Sequence, residues 1–411
     1  VSGGTVHGTC EPRYERVRSV FAEHFETGVE VGASFAVVHR GRTVVDLWGG
    51  HADAARTRPW RDDTIVNVYS TTKGVVALLV ALLVQEGRLA YDAPVGRYWP
   101  GFATNGKQDV TVAMILSHRA GLCAVDPPLL THDLYDWAGM TGILERAAPL
   151  WPPGTRTGYH ARTYGFLAGE LIRRVTGRGV GAFLRERLAG PLDADMFIGV
   201  PASETARVAD IVGPASLVPD DGSGEETRLA ERMGPVLAGM MGTDVRSGAQ
   251  EPPPPDVLAM MERVFTNPVN PPESANDPGW RAAEIPSSNG HANARALARI
   301  YGAVAWGSDG RPPLLGPATV AEATLVEGDP FDGVLGFPVR WGRGFTMNGG
   351  EFGPRPDAFG HRGIGGSFAY VDPAEGMGVG YAMNQWIPKF GDNPGNDPRA
   401  DRLVRALYGC L

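Results

Sequence analysis

Ser70-Thr-Thr-Lys73-Gly-Val-Val-Ala-Leu-Leu-Val-Ala-Leu-Leu-Val-Gln85 is the stretch on which the reading of this chain turns. From Thr71 to Gln85 apolar residues cover nearly every side of a helical projection, which predicts a buried helix instead of an amphipathic one. Gly87 stops it. Residues three apart share a helix face, so Lys73 sits over Ser70 at the helix head. The free N–H groups and positive dipole end found there can hold a developing oxyanion. A serine hydroxyl needs a base within reach, and burial lowers a lysine pKa toward the neutral amine that can act as one. Ser-x-x-Lys is a short pattern, and chance supplies it often enough that it carries little weight alone. Lysine scarcity adds to it. Only Lys73, Lys107 and Lys389 occur, against a Lys plus Arg total of 38. A protein that uses arginine for surface charge has placed Lys73 at the head of an apolar run.

Working outward, Pro12 to Phe25 has helical spacing of Val17, Val20, Phe21 and Phe25. Ala33–His39 and Thr43–Trp48 read as two strands joined by a tight Arg40-Gly41-Arg42 turn, an antiparallel hairpin. Helical patterns follow at Val110–Ser117, Thr141–Ala147, Tyr164–Thr176, Val180–Leu188 and Ala292–Trp306. Strand-like segments return at Arg340–Phe345, Ser367–Val371 and Gly378–Asn384, and Asp397–Tyr408 closes the chain as a helix. The stretch 214–286 is rich in Pro, Gly and acid and includes Pro252-Pro-Pro-Pro255. It reads as long loops with one or two short helices. The fold class expected is therefore α/β of the α+β kind: one antiparallel sheet built from both chain ends, flanked by helices, with an inserted mainly helical region. Residues 1–75 and 287–411 would form the sheet part and 76–286 the helical part of one catalytic unit, with a cleft between them.

Composition limits the function classes. At 411 residues the core is ample without staples. A formal charge of −8 and the lack of any basic run argue against a nucleic-acid partner. Cys10, Cys123 and Cys410 lie far apart, so a disulfide framework or zinc site is not expected, although one bridge between the termini is conceivable. The longest apolar run, Val75–Val84, is too short to span a bilayer. A soluble, cytoplasmic protein is the expectation; a signal peptide removed ahead of Val1 would leave no trace here.

Two further pieces could carry chemistry. Trp151-Pro-Pro-Gly-Thr155 leads through Gly158-Tyr159-His160-Ala161 into a helix. A tyrosine beside a cation can be drawn toward phenolate and serve as acid or base; alone, such a tyrosine is more often packing. Phe359-Gly-His361-Arg-Gly363-Ile364-Gly-Gly-Ser367 precedes a strand, and its glycines allow backbone to approach a substrate closely. In this order and context the three pieces resemble the serine beta-lactamase-related, penicillin-binding-protein-like superfamily. That group holds class C beta-lactamases, DD-peptidases, family VIII carboxylesterases and related acyltransferases. Leu116-Ser-His118-Arg-Ala-Gly-Leu122 is also similar to a structural segment of the family. The likeness covers most of Val17–Leu192 and Ser287–Gln385, and it implies a beta-lactamase/transpeptidase-like fold.

The resemblance implies that Ser70 is the acylated nucleophile, Lys73 its proton partner and Tyr159 the catalytic tyrosine. The backbone N–H groups of Ser70 and Ile364 would form the oxyanion hole. His361, Gly363, His160 and Trp341 are the candidate substrate contacts. Two departures bear on the substrate. Ala161 stands where beta-lactamases and peptidases carry an asparagine, and His361 replaces the strand lysine, removing a permanent positive charge. The reading is therefore a serine hydrolase acting on neutral esters or thioesters. An acyltransferase using the same residues is the alternative, with a beta-lactamase, a DD-peptidase or a non-catalytic binding protein behind both. No GxSxG elbow or HExxH spacing occurs, and neither metal nor cofactor is expected. His118 and His291 read as structural, and the methionines between 233 and 261 as core or as an apolar wall.

Overall fold

The computed structural model of the protein describes residues 5–213, 254–307, 312–387 and 397–411. Arg40 and Gly41 both lie at positive φ, 49° and 76°, the conformation of a two-residue turn whose twist matches its flanking strands. An unpredicted edge strand, β1 (Val6–Cys10), precedes the hairpin formed by β2 (Gly32–His39) and β3 (Arg42–Gly50). The side chains of β1 alternate between half-buried and exposed, too weak an apolar pattern to mark a strand. Late in the chain come β7 (Thr346–Met347), β8 (Phe359–Arg362), β9 (Phe368–Asp372) and β10 (Met377–Met383). All pair antiparallel into one seven-stranded sheet in the order β1-β3-β2-β10-β9-β8-β7. A smaller sheet joins β4 (Val66–Asn67), β6 (Gly290–Ala292) and β5 (Met196–Ile198). The α+β architecture expected from the sequence is the one observed.

The helices used below are α1 (Glu15–Glu26), α2 (Thr71–Gln85), α3 (Val112–Leu116), α4 (Trp137–Arg146), α5 (Thr163–Thr176) and α6 (Val180–Leu184). After them come α7 (Pro255–Phe265), α8 (Pro278–Ala282), α9 (Ala294–Ala305), α10 (Pro317–Ala323) and α11 (Pro398–Tyr408). One face of the sheet, including Phe35, Val37, Val379 and Tyr381, packs with Val17 and Phe21 of α1 and Leu403 and Leu407 of α11. The alternate residues Ala36 and Val38 meet Ala294 and Ala298 of α9, as the two-residue period of a strand requires. Beyond α9, the buried helix α2 joins α3, α4, α5 and α6 in the large core.

Two sequence expectations change. Arg340–Phe345 is not a strand: Gly344 turns at φ 99°, and the segment folds back so that Trp341 bridges Thr346. The three cysteines are free thiols, with no bridge between the termini. Of the 214–286 stretch, the described part supplies α7, α8 and a 3₁₀ turn at Pro272–Asn276. There Met261 is core, while Met233, Met240 and Met241 lie outside the described residues. Among the described residues no helix is long and apolar enough to cross a membrane.

Helix α9 lies unusually close to the sheet because β10 presents glycines to it. A Cβ on Gly380 would fall 2.4 Å from the Ala294 carbonyl oxygen, and one on Gly378 2.1 Å from the Gly302 nitrogen. Gly380→Val should therefore force helix and sheet apart, lowering unfolding free energy in urea by about 1–3 kcal/mol. An unchanged midpoint would show that this spacing is not constrained.

Candidate active site

Helix α2 begins with all its first-turn side chains buried, Lys73 among them at 0% exposure. The residue before Ser70 is strained: Tyr69 takes φ 44°, a conformation that costs a non-glycine residue free energy and is held only by its surroundings. Its hydroxyl donates to the Pro272 carbonyl at 2.9 Å. Thr72 Oγ1 donates to the Tyr69 carbonyl and accepts the Gly290 N–H, tying the helix head to the small sheet. Ser367 closes the other side by donating to the Val68 carbonyl at 2.8 Å, with Thr71 Oγ1 3.1 Å away. Gly363 passes so close that a Cβ there would lie 2.4 Å from that same carbonyl. Thus the head of α2 and the end of β8 are locked together.

This frame brings the three predicted side chains to one point. Lys73 Nζ lies 3.0 Å from Ser70 Oγ and 2.9 Å from the Ser287 carbonyl oxygen. The Tyr159 hydroxyl donates to Ser70 Oγ at 2.7 Å, and Lys73 Nζ sits 4.8 Å from the centre of its ring. Burial, aided by the Arg162 guanidinium, holds Lys73 well below the usual lysine pKa. The amine form is thereby favoured, with Nζ in hydrogen-bond reach of both the Ser70 hydroxyl and the Ser287 carbonyl. Tyr159 behaves contrary to the sequence expectation. Burial pushes its phenol up and outweighs the opposing pull of the Ser70 hydrogen bond, so Tyr159 enters as a neutral donor and not as a phenolate. The arrangement can activate a hydroxyl and return a proton to a leaving group.

The remaining predicted residues divide. Ser70, Tyr159, His361, Gly363, Ile364 and Trp341 all line one cleft of about 190 Å³. Its other walls are largely apolar, including Phe265, Pro271, Pro272, Trp280, Phe337 and Val339. His361 is buried and neutral, its pKa brought down to about 3 chiefly by burial. His160 does not line the cleft. Its Nε2 accepts the Leu122 N–H and its Nδ1 faces the Gly158 carbonyl at 2.7 Å, which makes it a brace between two loops. His118 is also structural, accepting the His160 N–H on Nδ1 and packing edge-on to Trp341.

Two residues that sequence reasoning passed over shape the site. Asp332, fully buried, accepts from the N–H groups of Tyr159, Val334 and Leu335 on Oδ1, and from Trp341 Nε1 on Oδ2. It holds Trp341 stacked on Tyr159, the rings 9° from parallel and 5.6 Å apart. Its only signal in sequence is an Asp-Gly pair, which reads as an ordinary turn. Arg162 lines the cleft and donates to the Val264 carbonyl at 3.0 Å, fastening the end of α7 beside Ser70. Among the described residues no cluster of three His, Cys, Asp or Glu side chains could hold a metal ion.

The Beta-lactamase family model matches residues 17–403. The chain is 32% identical over 396 residues to Esterase/beta-lactamase LipL of Mycobacterium tuberculosis, covering 94% of this chain and 84% of that one. Among solved structures, a family VIII carboxylesterase superposes with a TM-score of 0.84 at 42% identity, covering 99% of this chain and 100% of the other. A penicillin-binding protein homolog from Caulobacter crescentus does so with a TM-score of 0.82 at 40% identity, over 99% and 100%. With a match that runs through both the sheet and the helical region, the chain belongs to the beta-lactamase family.

Proposed function

We propose that the protein hydrolyses carboxylic esters through an acyl-Ser70 intermediate. The observation that carries this reading is the pair of contacts on Ser70 Oγ, 3.0 Å from Lys73 Nζ and 2.7 Å from the Tyr159 hydroxyl. Neutral Lys73 takes the Ser70 proton as Oγ attacks the ester carbonyl. The N–H groups of Ser70 and Ile364 receive the oxyanion. As the tetrahedral intermediate collapses, the Tyr159 phenol protonates the leaving alkoxide and is itself reprotonated from the Lys73 ammonium. Water then enters, giving up its proton along the same route in reverse, and the acid leaves with Ser70 restored. On this reading the sheet part (1–75 and 287–411) and the helical part (76–286) act as one catalytic unit.

Neutral esters suit the cleft. Its lining is mostly apolar and His361 is neutral; of the two guanidiniums that also line it, Arg162 is tied to the Val264 carbonyl and Arg362 faces Glu351 at 3.8 Å. Ala161 offers no amide for a peptide-like side chain. The relatives named as esterases support the same choice.

Incubation with a short-chain activated ester should yield turnover and, by intact mass, an adduct mapping to Ser70 that Ser70→Ala abolishes. A protein that forms no adduct and releases no alcohol would refute the reading; an adduct discharged by added alcohols but not by water would redirect it to acyl transfer. Because the base is the unprotonated amine, kcat/KM should rise with pH through the Lys73 pKa, with its acid limb well below the ordinary lysine value of 10.5. A limb near 10.5 would argue against Lys73 as base. Asp332→Asn sets an amide N–H₂ against the Trp341 N–H and should lower kcat about tenfold by releasing the Tyr159 stack. Wild-type kcat in that variant would remove Asp332 from the account.

A further inference from the structure

The turn that follows β8 is closed by two backbone hydrogen bonds of its own. Gly363 donates its N–H to the Ser367 carbonyl at 2.7 Å and accepts the Gly366 N–H at 3.2 Å. Between them, Gly365 and Gly366 sit at φ 91° and 126°, and glycines carry the least intrinsic restraint of any residue. Ile364, inside this turn, lines the cleft. A group outside the turn restrains it. Arg399, at the head of α11 and 2% exposed, donates from Nη2 to the Gly365 carbonyl at 2.7 Å.

The same guanidinium is fixed on its other sides. Asp397 accepts from Nη2 at 2.6 Å and from Nε at 3.0 Å, while also accepting the Arg399 backbone N–H as the cap of α11. Glu30, fully buried, accepts from Nη1 at 3.1 Å, and the Gln385 carbonyl does so at 2.9 Å. Glu30 also accepts a hydrogen bond from the Tyr381 hydroxyl in the sheet. A Cβ on Gly366 would lie 2.5 Å from Asp397 Oδ2 and 2.7 Å from Arg399 Nη2, so the glycine there is what admits the pair to the turn. Arg399 does not line the cleft, and two carboxylates offset its charge. Its geometry serves the backbone and not a substrate.

We propose that Arg399 is a positioning residue for the reaction: by pinning the Gly365 carbonyl it aims the neighbouring Ile364 N–H at the oxyanion. The inference rests on the acyl-Ser70 reading and adds to it a structural tie from the C-terminal helix to the transition state. Arginine suits this role because its planar fork spans several fixed acceptors at once, which a lysine ammonium on a flexible stem does not. Both acylation and deacylation pass through an oxyanion, so both steps depend on this aim.

The test is Arg399→Lys in the full chain, read in two ways. An isotope-labelled acyl group on Ser70 reports oxyanion-hole contact through its infrared carbonyl stretch, which shifts to higher frequency when a donor is misaimed. Steady-state hydrolysis of the same activated ester gives kcat and KM. We expect the stretch to rise and kcat to fall about tenfold or more, with KM within about twofold. A wild-type-like stretch and kcat would overturn the positioning role while leaving the acyl-enzyme intact. Absence of a Ser70 adduct in the wild-type protein would instead overturn the parent reading. If Arg399→Lys does not fold, Asp397→Asn loosens the same guanidinium; a folded Asp397→Asn protein with an unshifted stretch would equally overturn the proposal.

Discussion

An ammonium group leaves water only at a large free-energy cost, and Lys73 is buried with no carboxylate partner among the described residues. Its contacts are a hydroxyl and a carbonyl, neither of which offsets a full charge. Burial, with the Arg162 guanidinium beside it, therefore holds the Lys73 pKa well below the usual lysine value. A helix apolar on all sides must be covered on all sides, by α5, α6 and α10 and by β8 and β9. Removing that cover would rehydrate the nitrogen and return its pKa toward the usual lysine value. In this sense the sheet, the helical region and the loops over the cleft act together to keep water from one nitrogen.

Around that nitrogen the aromatic wall follows a similar logic. Tyr159, Trp341 and His361 present rings to one another at centroid separations of 5.6–6.3 Å. Asp332 is a carboxylate that fixes this wall, and burial pushes its own pKa up against the pull of four N–H donors. Its charge is therefore directed at backbone and indole donors instead of being offered to a ligand. What the cleft shows is mostly carbon, with His361 held neutral.

Much of this was legible in the sequence where a local pattern had a physical cause. The bounds of α2 follow from its apolar run and Gly87, and the β2–β3 hairpin from Arg40-Gly41. The convergence of Ser70, Lys73 and Tyr159 followed from motif order and lysine scarcity together. Tertiary features were not legible. Asp332 looks like any turn aspartate until its carboxylate is seen to collect N–H groups from three segments. His160 adjoins Tyr159 in sequence, yet its ring turns to the Leu122 loop. For Tyr159 a nearby cation is visible as a motif, whereas the burial that raises its pKa is a property of the whole fold. Nor did a lone arginine well past β8 give any hint of its tie to Gly365.

The pairing of β2 with β10 has a consequence for how the molecule comes into being. Ala33 lies opposite Met383, so the centre of the main sheet joins segments far apart in sequence. Such a contact gains nothing until almost everything between has been made, and closing so long a loop carries a large entropic cost. During synthesis, β1, β2 and β3 emerge early as a three-stranded ribbon with an unpaired edge, a surface open to wrong partners. The helical segments that surround Lys73 can collapse before the sheet is whole. Only when the last strands arrive can Ile364 come to line one cleft with Ser70, so the cleft is completed late in folding.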